Sequence, residues 1–251
     1  QDTGRDISFD TGVDSAGDYY VVIEDSTFLT TNEYSFSTTI AAGAANNNTA
    51  ETESNNTLST ADTIEMGKAI TGQLSSSSDL DYFKLDVTQA STLRLNFDAP
   101  TNSSFNNYFT TSVLDGAGNT LSSHQGGSDI TFSTALSTAG TYYIQIEDST
   151  LYNGGQYSLT GSLTNGTSGR ETESNNSRST ADVISSGSST KGQIRTNTDQ
   201  DFYKISTDGA ATITIDFDAP TNSSFNNYFK VALQNASGTV LASQDTGRDI
   251  S

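Results

Sequence analysis

Apolar residues in this chain fall at every second position over short stretches, and Gly, Asn, Asp and Ser collect between those stretches. In Leu93-Arg94-Leu95-Asn96-Phe97 the apolar side chains share one face of an extended segment. In Thr141–Glu147, Tyr142, Ile144 and Ile146 are expected inside, with Tyr143, Gln145 and Glu147 outside. The pattern predicts strands near Ala69–Leu74, Tyr82–Val87, Thr92–Phe97, Tyr108–Leu114, Thr120–Ser123, Ile130–Leu136, Thr141–Glu147 and Gln156–Leu163. Asp115-Gly116 and Ala117-Gly118-Asn119 supply one turn, and Ala139-Gly140 precedes another strand. One helical turn is expected at Ser59–Asp62 and again at Ser179–Asp182. Short strands at this spacing predict an all-β chain of antiparallel β-sandwich, jelly-roll-like domains.

The pattern repeats. Glu51-Thr-Glu-Ser-Asn-Asn56 recurs as Glu171-Thr-Glu-Ser-Asn-Asn176, and Phe97–Phe109 recurs unchanged as Phe217–Phe229, both offset by 120 residues. Backwards, Gly17-Asp-Tyr-Tyr20 aligns with Gly140-Thr-Tyr-Tyr143 at an offset of 123. Residues 51–164 therefore form one whole repeat of about 120 residues, 1–43 the back half of another, and 171–251 the front half of a third. The octapeptide QDTGRDIS stands at both Gln1–Ser8 and Gln244–Ser251. Three arrangements would complete the halves: pairing within one chain, pairing of 171–251 with 1–43 of a neighbouring chain, or neighbouring repeats of a longer array. The second would build a head-to-tail fibre by strand complementation.

Composition narrows the chemistry. There is no Cys and one His, so thiol nucleophiles, disulfides and multi-His metal sites are excluded. His124 is matched by Gln1 and Gln244 in the other copies, which marks a polar side chain and not a catalyst. The net charge of −19 repels nucleic acid and anionic membranes and favours cations. No apolar run is long enough for a membrane helix. Nothing orients a pair of carboxylates for hydrolysis, and an enzyme is not expected.

Several motifs follow one another along the chain: Glu51-x-Glu53-x-Asn55-Asn56, the turn at Ala61, Gly72, Asp79-x-Asp81-Tyr82-Phe83, Asp115-x-x-Gly118, Gly140-Thr141-Tyr142-Tyr143 and Tyr157-Ser158-Leu159. Their order resembles the bacterial pre-peptidase C-terminal domain family. The resemblance covers residues 51–163 and implies a secreted, non-catalytic β-sandwich. The collagen-binding modules of clostridial collagenases look like relatives, and the resemblance implies calcium binding by the acidic opening and the Asp-rich loop. Collagen binding is not implied, because no aromatic binding face can be matched.

Calcium takes six to eight oxygens, and this sequence offers a set of them. Glu51 and Glu53 alternate onto one side of an extended segment, and Asp79 and Asp81 add two carboxylates from the loop at 77–81. Asn55 or Asn56 supplies an amide oxygen. The same set recurs as Glu171, Glu173, Asn175, Asp199 and Asp201. The plainer reading makes the glutamates solvated linker charges and Asp81 a cap of the strand turn. The duplicated segment at 97–109 suggests a contact surface through Phe105, Tyr108, Phe225 and Tyr228, against which stands recent exchange between repeats or a demanding turn. The expectation is a structural and adhesive repeat of an extracellular, cell-surface fibre, with calcium at its junctions and other repeats or chains as partners. The alternative is an accessory module of a secreted hydrolase that binds carbohydrate or a fibrous matrix protein.

Overall fold

Alternation of side chains sets the layers of the whole repeat. The computed structural model describes residues 8, 11–13, 16–24, 35–40, 49–103, 108–220 and 228–250, in two compact units, Gln1–Ile205 and Ser206–Ser251. In the first unit, nine strands form the complete repeat: β1 (Asp62–Thr63), β2 (Ala69–Gly72), β3 (Leu80–Val87), β4 (Ser91–Asp98), β5 (Phe109–Leu114), β6 (Thr120–Gly126), β7 (Ile130–Leu136), β8 (Gly140–Asp148) and β9 (Tyr157–Asn165). One sheet has the order β1-β3-β8-β5-β6 and the other β2-β9-β4-β7. The inward residues of β3, β4, β8 and β9 bury Phe83, Leu85, Leu93, Leu95, Phe97, Ile144, Ile146, Tyr157 and Leu159 between the sheets. This is a β-sandwich, whose two apolar faces are removed from water by each other.

All eight expected strands are present, with edges shifted by a few residues. The expected helical turn is corrected. Thr60 N donates to Thr57 O in a single hydrogen-bonded turn, and the chain then runs directly into β1, which pairs in parallel with β3. Thr57 Oγ1 and Thr60 Oγ1 lie 2.8 Å apart, and such local hydroxyl bonding favours a turn over a propagating helix. Among the described residues there is no helix, and so none long and apolar enough to cross a membrane.

The entry segment crosses from one sheet to the other. Glu51 N donates to Thr71 O and Thr71 N to Thr49 O, so residues 49–51 run beside β2, the edge of the four-stranded sheet. Residues 62–63 then form β1 at the edge of the five-stranded sheet. The third repeat begins in the same way: Arg170 bridges Lys191 as Ala50 bridges Thr71, and β10 (Asp182–Val183) pairs in parallel with β11 (Tyr203–Lys204). Residues 16–24 and 35–40 lie outside any strand and are exposed. Gly12 N donates to Glu51 O at 2.8 Å.

The second unit contains the antiparallel pair β12 (Phe229–Gln234) and β13 (Val240–Thr246), closed by a bridge between Phe217 and Ile250. Its ring pair Phe217–Phe229 has the 5.1 Å spacing of Phe97–Phe109 in the complete repeat. Ala219 N donates to Asp249 Oδ1 at 3.0 Å, as Ala99 N does to Asp129 Oδ1.

Candidate metal centre

Three carboxylates meet where the entry segment crosses between the sheets. Glu51, Glu53 and Asp81 each offer an oxygen, and those oxygens all lie within 4.8 Å of one another. Asp81 is there because strand alternation puts it on the inner face of β3, in line with Phe83, Leu85 and Val87. Glu51 is fixed by its backbone pairing with β2, and its Oε1 accepts from Gln73 N at 2.5 Å. Tyr157, at the start of β9, keeps its ring in the core 5.3 Å from Phe97 and donates its hydroxyl to Asp81 Oδ2 at 2.6 Å. Gly72 has to be glycine, because a Cβ there would stand 2.3 Å from that hydroxyl and 2.7 Å from Glu51 Oε2.

Asn55 and Asp79 complete the surroundings. Asn55 is fully buried, its carbonyl accepts from Tyr82 N at 3.1 Å, and its Nδ2 lies 3.4 Å from Asp62 Oδ2. Asp79 accepts from Ser75 N at 2.6 Å and Leu80 N at 3.0 Å, which fixes the loop ahead of β3. Asp81 Oδ1 and Asn55 Oδ1 are buried without a hydrogen-bond partner in the protein. Buried oxygens of this kind are costly unless something satisfies them.

Electrostatics reflect the crowding. Burial, reinforced by the charge of Asp81, raises Glu51 to about 10, and burial raises Asp81 to about 7. Burial and then Asp79 push Glu53 upward as well. The whole repeat brings no cationic side chain into the group to offset this, since Glu51, Glu53 and Asp81 take part in no ion pair among the described residues.

The second set assembles likewise, with Glu171, Glu173 and Asp201 offering oxygens within 4.8 Å. Gln193 N donates to Glu171 Oε1 at 2.5 Å, and Asn175 is fully buried. Two features differ. The hydroxyl beside Glu171 comes from Tyr203, at 3.1 Å, and Arg195 enters the group, its Nε 2.9 Å from Glu173 Oε1 and 3.2 Å from Asp199 Oδ2. Burial still raises Glu171, to about 8, and Asp201.

The structure thus brings together Glu51, Glu53 and Asp81, with Asn55 and Asp79 around them, and does the same for the second set. Asn56 Oδ1 is also buried and unpartnered. Sequence reasoning missed Asp62, Gln73, Tyr157 and Arg195. Asp62 and Gln73 repeat at 182 and 193, so the repeat carried their signal, whereas Tyr157 is distant in sequence and reaches the site only through sheet pairing. Arg195 was legible as a break in the repeat, standing where the first copy has Ser75. Of the expected contact surface, Phe105 and Phe225 lie outside the described residues. Tyr108 packs partly buried against the core, and Tyr228 is exposed.

No family model matches the chain, and no curated protein matches it. Among solved structures it is similar to the pre-peptidase C-terminal domain of a collagenase from Bacillus anthracis, at 17% identity over 40% of this chain and 93% of that one, with a TM-score of 0.33. It is also similar to the carbohydrate-binding module CBM36, solved with calcium and xylotriose, at 14% identity over 40% of this chain and 93% of that one, with a TM-score of 0.23.

Proposed function

We propose that this chain is a non-catalytic structural and adhesive repeat of an extracellular, cell-surface fibre, whose junctions calcium stiffens at the entrance of the sandwich. The observation that carries the reading is the meeting of Glu51, Glu53 and Asp81 within 4.8 Å, beside the unpartnered buried oxygens of Asp81 and Asn55. The donor set fits calcium, which prefers several carboxylate and carbonyl oxygens in a flexible arrangement. Glu51, Glu53 and Asp81 would hold the ion, with Asn55 and Asp79 at its border. A bound divalent cation would neutralise charges whose burial otherwise disfavours ionisation.

The link to stiffness runs through Glu51. Its side chain is in the cluster, while its carbonyl accepts from Gly12 N, a residue of the preceding half-repeat. Fixing Glu51 therefore fixes an attachment point between consecutive repeats.

The two half-repeats also fit the reading. Tyr19, Val21, Ile23 and Phe36 are exposed, although their counterparts Tyr142, Ile144, Ile146 and Leu159 are buried in the whole repeat. In the third repeat Ile194, Tyr203 and Ile215 are exposed where Leu74, Phe83 and Leu95 are buried. Each half bares one side of the same core, so a segment of the 1–43 type is the natural complement of 171–251. A module gripping sugars by stacking would instead show an aromatic strip. Among the described residues 51–165, the large apolar side chains left exposed are Leu151 and Tyr152.

Calorimetric titration of calcium into the whole chain and into D81N tests the reading. Saturable binding that D81N abolishes is expected; equal heats in both would exclude this site. A glycan-binding screen of the same protein that returns a saturable ligand would favour the accessory-module alternative.

A further inference from the structure

The two acidic clusters share every candidate ligand residue, yet one of the neighbours that differ brings a charge. Position 75 of the whole repeat is Ser, and the matching position 195 is Arg. The backbone does the same thing in both: Ser75 N donates to Asp79 Oδ2 at 2.6 Å and Arg195 N to Asp199 Oδ2 at 2.8 Å. The side chains do not. The Arg195 guanidinium lies between Glu173 and Asp199, whose side chains are 3% and 1% exposed, and is itself 14% exposed. Its Nη1 also donates to Thr120 O, at the first residue of β6 in the preceding sandwich. Gln193 adds two bonds to the same edge strand, its Nε2 donating to Ser123 O at 2.7 Å and its Oε1 accepting from Ser123 N at 3.2 Å.

We propose that Arg195 is a resident cation that takes the place of calcium in the second cluster and latches that junction to β6 without an ion. An arginine keeps its charge at any pH the fold meets, and its fork of donors suits two carboxylates at once. It engages Glu173, one of the three carboxylates a calcium ion would need, and puts a like charge beside the others. The proposal rests on the calcium reading of the first cluster, and it makes the two junctions of this chain unlike: one set by calcium, the other locked permanently.

Titration of calcium chloride into the whole chain, D81N, D201N, R195S and R195M tests this. The wild type should bind one ion, lost in D81N and unchanged in D201N, while R195S and R195M should each bind two. Amide exchange across residues 170–204 should be indifferent to chelator in the wild type and become sensitive to it in R195M. Two ions in the wild type, one lost in each of D81N and D201N, would overturn the proposal and leave the calcium reading intact. A single ion in folded R195S and R195M would overturn it likewise. No binding to any of the proteins would remove the calcium reading, and the proposal with it.

Discussion

At the scale of single residues, the acidic centre is a place where burial works against charge. Burial carries Glu51 from an ordinary 4.5 to about 10 and Asp81 from 3.8 to about 7. The folded chain therefore holds these protons more tightly than the unfolded chain. Below about pH 4 the penalty for burying their charge is absent, and stability falls as pH rises towards the folded values. In chelator, the sandwich should melt at a higher temperature at about pH 5.5 than at about pH 8. In saturating calcium the difference should largely vanish, because the ion holds these carboxylates ionised in the folded chain at both pH values. Equal melting temperatures at both pH values in chelator would contradict the burial argument. The carboxylates and Asn55 were legible in the sequence because the repeat displays them twice. Their strength as a group was not, because it depends on Tyr157 and Gly72, which only the pairing of β2 with β9 brings alongside.

At the scale of elements, alternation was the reliable signal. β4 and β8 bury the residues their period of two assigns inward, because each strand has one face against the other sheet. The two-residue strand β1 was not legible, since a segment that short has no period and owes its state to its neighbour β3. The same sequence also behaves differently according to what covers it. Phe97 is buried between sheets, whereas Phe217, in an identical thirteen-residue segment, is only partly covered. Replacing Phe97 with Ala should destabilise the sandwich by about 3–5 kcal/mol. Phe217→Ala should move the same transition by no more than about 0.5 kcal/mol. Denaturant unfolding followed by tyrosine fluorescence measures both, and equal losses would mean that the third repeat possesses a closed core of its own. In both copies the backbone N–H of the segment's Ala donates to the matching aspartate, Asp129 or Asp249.

At the scale of the molecule, the repeat divides the sequence into one whole unit, which folds as a sandwich, and two partial ones, whose mutual completion is the proposal. The repeat made that division legible, and the exposure of Val21 and Phe36 gives it an energetic meaning. If 1–43 completes 171–251, amides around residues 19–23 and 36–40 should gain protection from exchange approaching that of β8 and β9. Rising mass with concentration in light scattering would assign the pairing to separate chains, and a constant mass with protected amides to one chain. Unprotected amides at every concentration would refute complementation. The stiffened junction depends first on whether the first cluster holds calcium, and thermal unfolding at neutral pH with calcium or chelator asks this most directly. Calcium at about 100 times its dissociation constant should stabilise the sandwich by about 2.7 kcal/mol. With roughly 4 °C per kcal/mol for a domain of this size, the transition should rise by about 10 °C, and D81N should abolish the rise. An identical melting temperature in calcium and in chelator would contradict the account.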